Sequence, residues 1–209
     1  MKKLLTWVII LFSLISGNVI ASGQEFDYEH NWAKNEINYM KDKGVISGYP
    51  DGDFRPGSNM SKSEFYKVVN GIMGYTQKSD INFNDVSTSA WYYDEVRKGV
   101  SAGYLTPGAS LNADENITRG EVARITGVIY GVEEDKPEAS KFTDIQDIPE
   151  NLKGFVGGLK KKGYISGYPD GTFRPDAEIT RAEVVKILSG ISGEIVNSAG
   201  IVNGNVDTN

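Results

Sequence analysis

The chain repeats one string of residues three times, and self-similarity at a fixed period constrains architecture before any local propensity does. The fullest copy reads Gly163-Tyr164-Ile165-Ser166-Gly167-Tyr168-Pro169-Asp170-Gly171-Thr172-Phe173-Arg174-Pro175, then Ile179-Thr180-Arg181-Ala182-Glu183. An earlier copy reads Gly44-Val45-Ile46-Ser47-Gly48-Tyr49-Pro50-Asp51-Gly52-Asp53-Phe54-Arg55-Pro56, then Met60-Ser61-Lys62-Ser63-Glu64. The middle copy is abbreviated to Gly103-Tyr104-Leu105-Thr106-Pro107-Gly108, Leu111 and Ile117-Thr118-Arg119-Gly120-Glu121. Ser61, Thr118 and Thr180 lie 57 and 62 residues apart. Phe26-Asp27, Phe83-Asn84-Asp85 and Phe142-Thr143-Asp144 open the three units, which span 24–75, 82–131 and 141–193.

Each unit reads as helix, loop, helix, so the fold class is mainly α. In the first helices, Ile37 and Met40, Val96 and Val100, and Val156 and Leu159 keep an approximate helical spacing, and Gly44, Gly103 and Gly163 stop them. Tyr-Pro-Asp-Gly supplies turn chemistry in the loops of units one and three. The second helices are amphipathic, with apolar stripes at Phe65, Val68, Val69 and Ile72, at Val122, Ile125, Val128 and Ile129, and at Val184, Ile187, Leu188 and Ile191. A unit of this size buries too little surface to stand alone. Three equivalent stripes therefore predict one pseudo-threefold domain in which the second helices pack together. The acidic, Pro137-containing stretch from Val132 to Ser140 reads as an exposed linker, and 194–209 as a loose tail.

Met1-Lys2-Lys3, the apolar run from Leu4 to Ile15 and small residues before Ala21 form a secretory signal peptide pattern, predicting cleavage after residue 21. The run is short for an anchor, so no membrane association is expected after cleavage. Loss of Lys2 and Lys3 takes the net charge from −6 to −8. Nucleic-acid binders carry a basic surplus that this chain lacks. There are no cysteines, which removes disulfides and a cysteine-linked lipid. The one histidine cannot build a zinc site or a catalytic triad, and the Asp-Gly turns lack the pattern of a calcium loop. No cofactor, metal or catalytic residue is expected.

The three Ser/Thr-x-x-Glu strings are capping boxes. The residue after each cap, Lys62, Arg119 or Arg181, has the wrong sign for the helix dipole. A cation beside the free amides of a helix start makes an anion site; the alternative is a solvated charge. The anion reading requires Arg119 and Arg181 to be exposed, near Tyr or Trp from another segment. Lys62 keeps the charge but not the guanidinium fork. Trp32 and Trp91 open the first helices, as core or as platforms for a sugar face, and Asn151 replaces Trp in the third unit. Asp27, Asp85 and Asp144 either accept from sugar hydroxyls or cap the following turn.

Together, the Phe-x-Asp opening, the Trp, the Gly-Tyr-Pro-Asp-Gly-Thr-Phe-Arg-Pro loop and the Thr-Arg-Ala-Glu box resemble the S-layer homology module, in the threefold copy number usual for it. The resemblance implies a spindle around a central three-helix bundle. It also implies non-covalent attachment to a secondary cell wall polysaccharide, typically one carrying pyruvate ketals, and a location on the bacterial wall. It places the basic residue of each box, Lys62, Arg119 and Arg181, on the acidic sugar. Trp32, Trp91, Asp27, Asp85, Asp144 and the loop residues Gly48, Tyr49, Gly167 and Tyr168 are counted with them. Such modules usually tether a surface-layer lattice or an enzyme. No further domain stands out here, which leaves a minimal wall-coat component or a holder of surface-layer or other wall-associated proteins. An enzyme acting on wall glycan, or a self-assembling surface-layer subunit, are the other classes open to the chain.

Overall fold

The structure, a computed structural model, describes residues 25–198 of the 209, with side chains to residue 193. The expected signal segment and residues 199–209 lie outside the described residues. Among the described residues seven helices follow in order: α1 Lys34–Asp42, α2 Lys62–Met73, α3 Tyr93–Ser101, α4 Arg119–Ile129, α5 Lys136–Ala139, α6 Glu150–Lys161 and α7 Arg181–Ser198. No strand longer than an isolated bridge occurs among the described residues.

The capping boxes start α2, α4 and α7. The Ser61 hydroxyl accepts from the Glu64 N–H, and the Glu64 carboxylate accepts from the Ser61 N–H; Thr118 and Glu121 do the same. Thr180 and Glu183 repeat the exchange at 2.9 and 3.3 Å. Each of α1, α3 and α6 ends in the same reversal, with the N–H of Val45, Tyr104 or Tyr164 donating to the carbonyl of Met40, Gly99 or Leu159.

The three units close on one another in a cycle. Immediately before the box helices, Met60 N–H donates to Ile179 O, Ile179 N–H to Ile117 O, and Ile117 N–H to Met60 O, at 2.9–3.2 Å. All three side chains are fully buried. This ring ties the N-terminal ends of α2, α4 and α7 together. Their closest helical partners, however, are not each other: α2 packs on α3, α4 on α6, and α7 on α1. Each box helix thus covers the first helix of the next repeat, and the third repeat covers the first. The stripe residues Val122, Ile125, Val184 and Ile187 are buried as expected, whereas Val128 is exposed.

The stretch from Val132 to Ser140 is largely exposed, with only Ala139 buried, but it is not an unstructured linker. It carries α5, capped by Asp135 through the Glu138 N–H at 2.9 Å, and lies against α6. Gly157 and Gly158 make this possible, because a Cβ on either would overlap the carbonyl oxygen of Asp135 or Glu133. α7 also continues to Ser198, into the segment expected to be a loose tail. No described helix is long and apolar enough to cross a membrane.

Candidate wall-glycan grooves

The cations of the boxes follow the same cycle. Arg181, on the third repeat, inserts into the loop of the first. Its Nε donates to Phe54 O at 2.9 Å, Nη2 to Ser47 O at 3.0 Å, and Nη1 to Glu64 Oε1 at 3.4 Å. Arg119, on the second repeat, enters the loop of the third in the same way. Its Nε donates to Phe173 O, its Nη2 to Ser166 O and its Nη1 to Glu183 Oε1, at 2.9, 3.2 and 3.3 Å. Lys62, on the first repeat, reaches Glu115 and Glu121 of the second, each at 3.3 Å.

This corrects the expectation of exposed guanidinium groups. Arg181 is 4 % exposed and Arg119 8 %. The first box residue points away from its own helix and into the neighbouring loop, where carbonyl oxygens and a carboxylate replace water. The expected aromatic neighbours are present. Tyr49 lies between Arg181 and Arg55, with guanidinium carbons 4.9 and 4.2 Å from its ring centre, and Tyr168 lies between Arg119 and Arg174 at 4.6 and 4.1 Å. Burial pushes the Tyr49 hydroxyl pKa up, so the ring stays neutral and donates to Glu64 at 3.2 Å.

Gly48 and Gly167 stand where the loop folds back on itself. A Cβ at Gly48 would lie 2.6 Å from Asp53 O, and one at Gly167 2.9 Å from Thr172 O. In the second repeat Pro107 and Gly108 replace the Gly-Tyr pair, so its loop has no counterpart of Tyr49 or Tyr168.

The three aspartates bond to their own repeat's loop, not to the turn before the first helix. Asp27 accepts from the N–H groups of Phe54 and Arg55 at 2.8 and 2.6 Å, and Asp144 from those of Phe173 and Arg174, both at 2.7 Å. Asp85 accepts from Leu111 and Asn112. Each clamps the end of its own repeat's loop, where Arg55, Asn112 and Arg174 hold left-handed backbone at φ 57°, 52° and 56°. Such φ values are uncommon for residues other than glycine, and paired carboxylate oxygens offset part of that cost.

Among the described residues, two grooves are each lined by all three repeats. One, of about 700 Å³, is lined by Gly48, Tyr49 and Glu64 of the first repeat, Arg181 of the third, and Trp91 of the second. The other, of about 240 Å³, is lined by Gly167, Tyr168 and Glu183 of the third repeat, Arg119 of the second and Trp32 of the first. Trp91 and Trp32 are 57 % and 63 % exposed, so neither is core, and each lies at a groove edge.

A family model described as the S-layer homology domain matches residues 27–65, 82–123 and 141–185, together more than half of the chain. The chain belongs to the S-layer homology family. A cellulosome-anchoring protein of Acetivibrio thermocellus is 31% identical over 158 residues, covering 69% of this chain and 34% of the relative. An exoglucanase XynX of the same organism is 26% identical over 171 residues, 79% of this chain and 16% of the relative. The surface-layer 125 kDa protein of Lysinibacillus sphaericus is 26% identical over 170 residues, 79% of this chain and 14% of the relative. The chain therefore spans about a third or less of these relatives. The S-layer homology family thus has relatives named as anchoring, surface-layer and glycan-degrading proteins.

One set of residues escaped the sequence reading. Lys67, Arg124 and Lys186 stand six residues after each cap, a position found by aligning the three S-layer homology boxes. Lys67 and Lys186 line the larger and the smaller groove. Among the described residues no group of three or more His, Cys, Asp or Glu is placed to hold a metal ion.

Proposed function

We propose that this chain anchors to the bacterial cell wall non-covalently, by holding an anionic secondary cell wall polysaccharide in its two tryptophan-edged grooves. The observation that carries the reading is the pair of exposed tryptophans. Each is presented by one repeat over a groove built from the other two, and each faces a tyrosine loop. An indole face suits the apolar face of a pyranose, and loop carbonyls and carboxylates suit its hydroxyls. The acidic group is a pyruvate ketal by family resemblance. The third junction, with Lys62 between two glutamates and with Asn151 and Gly108 where the other two have tryptophan and tyrosine, is unsuited to an acidic sugar. The chain acts as a binding module and not as an enzyme, and it is secreted to the cell surface. Its partners there include surface-layer or wall-associated proteins.

Sedimentation with purified walls, before and after extraction of the secondary polysaccharide, tests this. Wild type should pellet only with unextracted walls. Removing a large aromatic contact costs about 1.5–3 kcal/mol, so Trp91→Ala and Trp32→Ala should each weaken binding roughly tenfold or more. The double variant should bind little. Equal pelleting of the double variant and wild type would overturn the reading.

A further inference from the structure

Threefold repetition supplies internal comparisons for the box cations and for the basic residues six positions after each cap, and among the described residues one of these is left open. Arg119 and Arg181 are buried and engaged by carbonyls and a glutamate. Lys62 is held by Glu115 and Glu121. Of the three residues at the sixth position after the cap, Lys186 donates to Glu36 at 2.5 Å and Arg124 donates to the Tyr104 carbonyl at 3.3 Å. Lys67 is exposed and, among the described residues, has no carboxylate partner. Its ammonium stands 5.7 Å from the ring centre of Trp91, on the wall of the larger groove.

The reason Lys67 is unpaired lies one turn along. Glu36 and Glu95 are equivalent, each four residues after a groove tryptophan. Glu36 is captured by Lys186. Glu95 is withheld from Lys67 by Asn70, whose Nδ2 donates to Glu95 Oε2 at 2.8 Å, and by Lys98, at 3.0 and 3.2 Å. Asn70 is buried and fixed from the other side by the Tyr104 hydroxyl, which donates to its Oδ1 at 2.8 Å. The third repeat has Ser189 in place of Asn70.

We propose that Lys67 is the acid-selecting residue of this protein, taking the carboxylate of a saccharide that lies against Trp91 in the larger groove. The smaller groove, its lysine already neutralised, takes saccharide without that selectivity. Arg181 shapes the groove wall and supplies background positive charge that Glu64 partly cancels. This inference rests on the proposed polysaccharide binding, and the experiment separates the two.

The full chain is titrated with purified secondary wall polysaccharide, intact and after reduction of its carboxyl groups to alcohols. Wild type should prefer the intact polymer. A charge-assisted hydrogen bond lost in Lys67→Ala should lower affinity for the intact polymer about tenfold, to near that for the reduced one. Lys67→Arg should restore the preference, and the melting temperature of both variants should match wild type because the side chain is exposed. Trp91→Ala should weaken binding to both polymers. If Lys67→Ala keeps the full preference while Trp91→Ala loses binding, Lys67 is not the selector although the groove is the site. The same holds if wild type shows no preference. If neither variant alters binding to either polymer, the groove reading fails as well.

Discussion

At the scale of single residues, the boxed arginines hold repeats together before they hold any ligand. Arg181 satisfies two carbonyls and a glutamate of the first repeat, which is 117 to 134 positions away in sequence. Removing one partner of a buried charged network leaves the other groups unpaired and commonly costs about 3–5 kcal/mol. Arg181→Ala should therefore destabilise the fold by about 3 kcal/mol, measured by urea unfolding, in addition to any effect on wall binding. Arg181→Lys should recover part of this, since a lysine keeps the charge but not the three-way fork. A loss under about 1 kcal/mol for Arg181→Ala would mean that the seat in the loop is dispensable. Any wall-binding assay on that variant must accordingly be corrected for its folded fraction.

At the scale of elements, each loop is a small rigid object whose shape is set by a carboxylate. Asp85 is held below the ordinary aspartate range by the N–H groups of Asn112 and Leu111. Asp170 is lowered by the side chain and N–H of Thr172 and by Arg174, and Asp51 by the N–H of Asp53 and by Arg55. A carboxylate with a depressed folded pKa contributes stability that is fully present above its unfolded pKa. That stability is lost as the pH falls through the folded value. The fold should thus hold its stability down to about pH 4 and lose it progressively below. Urea unfolding between pH 7 and pH 2.5 would show this. Asp85→Asn should be less stable than wild type at pH 7, with a shallower decline in acid. An unchanged decline would show that Asp85 does not contribute to the acid sensitivity.

For the whole molecule, closure is the deciding property. A linear repeat array can lose an end unit and keep the rest. Here α1 is covered by α7, the Met60 amide is taken by Ile179, and the first loop is filled by Arg181. Residues 22–140 alone would expose the buried Ile37, Met40 and Phe54 neighbourhood. That fragment should be unfolded or aggregated by circular dichroism and analytical ultracentrifugation. The full chain should melt in one transition. A soluble fragment with native helix content would show that the cycle is not needed for stability.

Much of this was legible in the chain alone, and the legible part is local. Capping boxes, helix stops and apolar stripes depend on residues three to five positions apart, so their spacing predicted α1 to α4, α6 and α7 and the copy number of the repeat. What the spacing could not supply was which repeat neighbours which surface. Residue Arg181 at a helix start looks solvated from its flanks, and only the return of the third repeat onto the first buries it. The aspartates looked like caps of the following turn because the loop ends they clamp lie 26 to 30 residues away. Gly157 and Gly158 gave no sign that the acidic segment before α6 would lie against them. Lys67 is the clearest case. It is one of three equivalent basic residues in sequence, and it is set apart only because Asn70 and Lys98, in two different repeats, hold Glu95 away from it. Short-range hydrogen bonding fixes the elements, whereas the charge state of a groove depends on which distant side chains compete for the same carboxylate, and that is settled only when the chain has closed.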